Sequence, residues 1–274
     1  MKRIILLLLF LSAFTVKVFS GTFKLLGSQE LFHLTFEREA LMLGGGAAVA
    51  GTGFTLKNIL KTNQNEFKGD LKAKNTIPMF DQIFMTSYSK GLEVTCDIAR
   101  IGMLAAPVAL FGFTLPKEEW FTIGTMYAES ILWTYGLTEI LKVCVGRARP
   151  YMYYDGAPSK ALENGDWNNS FPSGHTSMCF AAAAFSSYVY AMYNPDNNMK
   201  WVITGASFGL AATVGALRIA GGAHYFTDVF TGASIGTVSG FIIPWIHTIQ
   251  PRPKKNRGLE AVVSPAGFYF TLRK

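Results

Sequence analysis

The stretch WVITGASFGLAATVGALRIA, residues 201–220, holds a single charged side chain, Arg218, near its carboxyl end. A surface helix of a soluble domain keeps a polar face. This segment has none, so it reads as a helix surrounded by protein and lipid. At about 1.5 Å per residue its length suits a bilayer crossing. Working outward, four further apolar stretches have comparable length, at about 92–113, 119–141, 175–193 and 224–246. Few charges interrupt them, and some are spaced to pair on one helical face, Asp97 with Arg100 and Glu139 with Lys142. The expected fold is all-α: a membrane-embedded helical bundle of about five or six spans, its core at 92–246, with the functional groups at the ends of the core helices.

Composition bears on the same question. Half of the 274 residues are hydrophobic and 16% are charged, against roughly 25% charged in an average soluble domain. The mean hydropathy of +0.24 is modest for a multi-spanning protein, which keeps a compact soluble helical fold as the competing architecture. The net charge of +7 includes Lys2, Arg3 and Lys17 at one end and Arg252, Lys254, Lys255 and Arg257 at the other. It makes no basic, aromatic-studded groove pattern, and nucleic acid is set aside as a partner.

Lys2-Arg3, the apolar run 4–16 and Val18-Phe19-Ser20 read as the parts of an export signal, so 1–20 is expected to be a signal peptide or an N-terminal anchor. Residues 21–91 are expected to be extracytoplasmic or peripheral. Within them, 41–56 is apolar and rich in glycine but short for a span, and 57–75, with five lysines, reads as a solvated connection. If the chain begins outside and five helices cross, the loops at 142–174 and 221–224 lie outside. The basic run 252–257 then lies in the cytoplasm, as the positive-inside rule requires. A sixth span at 41–56 would reverse this. The basic tail, 247–274, carries a Ser264-Pro265-Ala266-Gly267 turn between β-prone ends and is expected to form a small hairpin. Cys96, Cys144 and Cys179 lie in or beside apolar runs without metal-type spacing and read as buried free thiols.

Three short strings carry chemistry: Lys142-x6-Arg149-Pro150, Pro172-Ser173-Gly174-His175 and Arg218-x5-His224-x3-Asp228. Each is ordinary alone. Together, at the ends of apolar helices, they supply three cations, two histidines and a carboxylate. Arg149 and Arg218 offer planar forks suited to phosphate, and Lys142 a compact charge. Pro150 is expected to end the helix or turn carrying Arg149. Ser173 or Gly174 is expected to cap a helix whose free N–H groups face an anion. Asp228 stands one helical turn after His224 and is expected to accept from one ring nitrogen, leaving the other to attack phosphorus. His175, with no carboxylate nearby in sequence, is placed to protonate a leaving oxygen. Arg147 reads as either a second phosphate contact or a surface cation. His33 and His247 read as structural.

This set, over roughly residues 92–246, resembles the signature of the type-2 phosphatidic acid phosphatase and vanadium haloperoxidase superfamily. The resemblance implies His224 as nucleophile through a phosphohistidine, His175 as general acid, Asp228 as the residue orienting His224, and Lys142, Arg149, Arg218, Ser173 and Gly174 as phosphate binders. It implies no metal and no cofactor. One position departs: Leu217 stands where the family commonly has a serine, which removes a hydroxyl from the phosphate's neighbourhood. The implied substrate is a lipid phosphate or diphosphate (phosphatidate, phosphatidylglycerophosphate, isoprenyl diphosphate or a glycolipid phosphate) at the outer face of the cytoplasmic membrane. The aromatic loop 151–171 is expected near headgroup depth. A soluble exported acid phosphatase of the same superfamily and a non-catalytic lipid- or phosphate-binding membrane protein are the alternatives.

Overall fold

The computed structural model describes residues 31–62, 66–69, 71–248, 259–264 and 267–272. The expected export segment and the basic run 252–257 lie outside the described residues. Eight α-helices are described: α1 Phe36–Phe54, α2 Met79–Gln82, α3 Lys90–Thr114, α4 Lys117–Val145, α5 Ser159–Asn164, α6 Gly174–Tyr193, α7 Met199–Ala220 and α8 Phe226–Thr248. After them, β1 Leu259–Ser264 pairs antiparallel with β2 Gly267–Leu272, Ser264 opposite Gly267, so the tail forms the expected hairpin.

The helix ends follow local chemistry. Thr35 caps α1, its hydroxyl accepting from the Arg38 N–H, and Ser173 caps α6 by accepting from the Thr176 N–H. Glu118 and Glu119 occupy the first turn of α4, where the helix dipole favours negative charge. Helix α4 ends at Gly146, which adopts the left-handed conformation (φ 56°) and returns its N–H to the Lys142 carbonyl oxygen. Thus the helix stops short of Arg149. Pro150 does not end it but opens a short 3-10 turn, Pro150–Tyr153.

Helix α6 is the axis of the bundle, packed against α3, α4, α7 and above all α8. Cys179, Ala181, Ala182, Ala183, Ala184, Phe185 and Val189 of α6 are buried. Small residues permit the close approach. A Cβ at Gly232, Gly236 or Gly240 of α8 would lie 2.5 Å from the Ser173 carbonyl oxygen, 2.0 Å from that of Ser177 and 2.3 Å from that of Ala181 respectively. The glycine-rich stretch does not stand apart as a short apolar segment. It forms α1, which lies along α4, with Gly136 of α4 set directly on the backbone of Val49 and Ala50.

Outside the bundle the side chains are apolar: Ile98, Ile101, Val108 and Phe113 on α3, Trp201, Val202 and Leu210 on α7, and Phe230, Val238 and Trp245 on α8 are exposed. By length and composition α3, α7 and α8 can each cross a membrane. Helices α4 and α6 match the two other expected stretches in position, but α4 carries Glu119, Glu129, Glu139 and Lys142, all buried within the protein. Such a surface is stable only against hydrocarbon, and the protein is a membrane protein. Cys96 and Cys179 are buried free thiols as expected, whereas Cys144, on the outer side of α4, is exposed.

Candidate active site

The three sequence strings converge where α4, α6 and α7 end or begin and α8 starts. One cavity of about 430 Å³ is lined by Lys142, Arg149, Gly174, His175, Arg218 and His224. The same cavity takes in Lys57 and Arg100, with Glu93, Glu139 and Asp166, so five cations face three carboxylates. That excess favours an anion. A larger cavity, about 570 Å³, opens on the far side of Arg147 and contains no histidine.

His224 precedes α8 in a turn closed by Gly222 (φ 69°), and its ring is buried. Nδ1 donates to the Ser170 carbonyl oxygen at 2.7 Å, and Arg149 Nη1 lies 3.3 Å from Nε2. These partners set the tautomer: the proton is on Nδ1 and the lone pair of Nε2 faces the cations. Burial, then the charges of Arg149, Arg218 and Lys142, hold the imidazole well below its usual range, so it is neutral at pH 7.

Asp228 does not make the bond expected of it. Because α8 begins at Phe226, His224 is off the helix and the one-turn spacing no longer aligns the pair; Nδ1 and Oδ2 are 3.6 Å apart. The fully buried carboxylate accepts instead from the Ser170 hydroxyl at 2.5 Å, the Tyr225 N–H at 2.9 Å and Arg147 at 2.6 Å. Asp228 therefore holds the two segments that hold His224. Arg147 is not a free surface cation: it bridges Asp228 and Asp81 (2.7 Å) and lies over the Tyr225 ring.

The cations differ in how they are held. Arg149 is clamped by Asp166, with Nη2 at 3.1 and 3.0 Å from the two carboxylate oxygens and Nε on the Asp166 carbonyl oxygen at 2.9 Å. Burial would raise the Asp166 carboxyl, but the Arg149 guanidinium dominates and holds it well below the usual range. Lys142 donates to Glu139 at 2.6 Å, and Lys57 reaches the other oxygen of the same carboxylate at 2.6 Å. Lys57 is thus part of the cavity wall and not of a solvated connection. The Arg218 guanidinium is buried, and among the described residues its Nε has no hydrogen-bond partner. Gly174 leaves room for the ammonium: a Cβ there would lie 3.0 Å from Lys142 Nζ. Ser173 lies behind the cavity, its hydroxyl engaged with Thr176.

Sequence reading missed the partner of His175. Asp97, from α3, lies 2.7 Å from Nε2, across a chain separation of 78 residues. The i,i+3 spacing of Asp97 and Arg100 was visible, and the two approach to 3.9 Å, but nothing local tied either to His175. In the aromatic loop Tyr151 is buried, packing with Met152 and Ala161 against Phe67, Leu71 and Trp167. Replacing Asp97 by Asn keeps the shape and removes the charge beside the ring. Turnover is expected to fall about 10- to 100-fold, with KM changing less than threefold; loss of substrate binding instead would show that Asp97 serves the anion pocket.

Comparison with known proteins follows the same residues. The PAP2 superfamily model matches residues 124–252. Lipid phosphate phosphatase 1 of Arabidopsis thaliana is 32% identical over 136 residues, 42% of this chain and 41% of that protein. Lipid A 1-phosphatase of Porphyromonas gingivalis is 29% identical over 180 residues, 65% of this chain and 34% of that protein. The chain therefore spans less than half the length of these relatives. Among solved structures, Aquifex aeolicus LpxE aligns with a TM-score of 0.42 at 23% identity, covering 63% of this chain and 98% of that one. The residues matched to the PAP2 superfamily model include Lys142, Arg149, Ser173, Gly174, His175, Arg218, His224 and Asp228, so this part of the chain, just under half of it, is similar to that superfamily.

Proposed function

We propose that the protein is a membrane phosphatase that hydrolyses a lipid phosphate or diphosphate through a phosphohistidine at His224, without a catalytic metal. The observation that carries this reading is the His224 tautomer: a neutral, buried imidazole with its Nε2 lone pair turned toward a cavity with a cationic excess. Arg149, Arg218 and Lys142, with the N–H groups at the start of α6, hold the non-bridging oxygens. Nε2 attacks phosphorus as the bond to the lipid oxygen breaks, and His175 gives that oxygen its proton. Asp97, 2.7 Å from Nε2, fixes the orientation of that ring. A water molecule, deprotonated by His175, then releases phosphate and regenerates His224.

The lipid reading rests on the exposed apolar surfaces of α3, α7 and α8; a soluble exported phosphatase would not carry them. In this reading α4 and α6 cross together with α3, α7 and α8, and the site faces the extracytoplasmic side of the cytoplasmic membrane, the arrangement that puts the basic run 252–257 inside. Phosphatidate, phosphatidylglycerophosphate, isoprenyl diphosphate and a glycolipid phosphate such as lipid A all present the required group. Leu217 is expected to alter the choice among them. Purified in detergent, the protein should release phosphate from at least one of these lipids faster than from a soluble aryl phosphate, at an initial rate unchanged by brief EDTA treatment. Preference for the aryl phosphate would point to a broad acid phosphatase, and no release from any would favour anion binding without turnover.

A further inference from the structure

A second group of ionisable side chains lies far from this cavity. His247, near the end of α8, is roughly 28 Å along the helix axis from Asp228. His247 and Glu129 of α4 are both fully buried, and Glu39 of α1 is mostly so. His247 Nε2 stands 3.3 Å from Glu39 Oε2 and 3.4 Å from Glu129 Oε2. One ligand atom from each residue fits within 4.8 Å of the others. The three positions are 90 and 118 residues apart, so sequence reading could take His247 only as structural.

From this geometry we infer that Glu39, Glu129 and His247 form a divalent metal site, of the kind that takes Zn²⁺, joining α1, α4 and α8. His247 Nδ1 is 2.8 Å from the Ile243 carbonyl oxygen. Its proton is used there, so the lone pair of Nε2 points at two carboxylates. Three electron-rich atoms converging in a dry interior repel one another unless a positive charge lies between them. Among the described residues no hydroxyl, amide or cation donates to either buried oxygen of Glu129; its polar neighbours are His247 Nε2 and the Glu39 carboxyl group. With both carboxyl groups deprotonated on binding and the imidazole neutral, the ligands would carry two negative charges, which one divalent cation neutralises.

The distances suit the chemistry. Bonds of about 2.0–2.1 Å in a tetrahedron put neighbouring ligand atoms about 3.3–3.4 Å apart, which is the spacing from Nε2 to either glutamate oxygen. An octahedral site with similar bonds would bring them to about 3.0 Å. The supporting bonds are those of a metal centre: Ile243 holds the imidazole, and the Thr35 N–H, at 3.4 Å, holds the other oxygen of Glu39. Glu39, with 11% of its side chain exposed, is the side from which an ion would enter and where water would complete the coordination. The site fastens α1, which is followed directly by the turn Thr55–Ile59 carrying Lys57, to the two helices that bear Lys142 and Asp228.

The test uses the full chain, purified without a histidine tag, with metal measured by mass spectrometry. Wild type is expected to contain close to one Zn²⁺, or another divalent first-row metal, per chain, falling at least tenfold in Glu129→Gln and His247→Gln. Stripping wild type with EDTA should lower Tm by about 5 °C or more, ZnCl₂ should restore it, and Glu39→Gln should blunt both shifts. The initial phosphatase rate, taken below Tm, should not follow the metal. Metal-free wild type whose Tm ignores both ZnCl₂ and MnCl₂ would overturn the proposal, leaving a proton to bridge the carboxylates. Unchanged metal in a folded Glu129→Gln protein would also overturn it. If that variant does not fold, the wild-type Tm response decides.

Discussion

Phosphate release by the His224→Ala protein is expected to fall at least about 10³-fold, the scale on which removing a nucleophile acts. On the proposed mechanism the substitution deletes the atom that bonds phosphorus, while leaving Arg149, Arg218 and Lys142 in the cavity wall. Affinity for phosphate or vanadate should therefore change far less than turnover, and wild type quenched during turnover should yield an acid-labile phosphohistidine absent from the variant. Folding should survive. The ring's hydrogen bond to the Ser170 carbonyl oxygen is lost, at about 1–2 kcal/mol, while Ser170 and Asp228 remain bonded to each other. Turnover within tenfold of wild type would sink the mechanism. It would not touch the fold or the anion-binding character of the cavity, which rest on other residues.

Gly236→Leu should be the most damaging single change in the bundle. A Cβ at this position lies 2.0 Å from the Ser177 carbonyl oxygen and 2.8 Å from the Ala181 nitrogen. Both are backbone atoms of α6, so no rotamer change relieves the clash, and α8 must move away from the axis of the bundle. The expected cost is at least about 3 kcal/mol, seen as a large fall in Tm or as failure to accumulate in the membrane. Activity should fall with it, because Ser173 N–H donates to the Asp228 carbonyl oxygen at 3.0 Å across the same helix pair. Gly44→Ala is the control. Among the described residues nothing lies within 4 Å of its added methyl group, and removing a glycine from a helix interior should leave stability unchanged or raise it slightly. Equal effects of the two substitutions would show that helix propensity, and not close packing, explains the glycines.

What the sequence determined by itself follows from regularities that act over a few residues. Apolar length produced the helices, with boundaries close to those observed for α3, α6 and α7. Capping chemistry placed the start of α6 at Ser173 or Gly174, and Ser173 is the cap; a turn between β-prone ends placed the hairpin. Residue type at the helix ends identified the groups that line the cavity, since cations and histidines there have few other uses in lipid. Which group bonds which was decided by tertiary structure. The i,i+4 argument for His224 and Asp228 assumed both lay on one helix. The chain enters α8 only at Phe226, and a backbone carbonyl from residue 170 takes the proton instead. Asp97 reaches His175 from another helix, and Arg147 finds Asp81 across 66 residues. Glu39, Glu129 and His247 meet only because α1, α4 and α8 cross. Local spacing governs backbone conformation through bonds a few residues long, whereas partners for buried charge are supplied by whichever segments packing brings together, and no period in the chain encodes that.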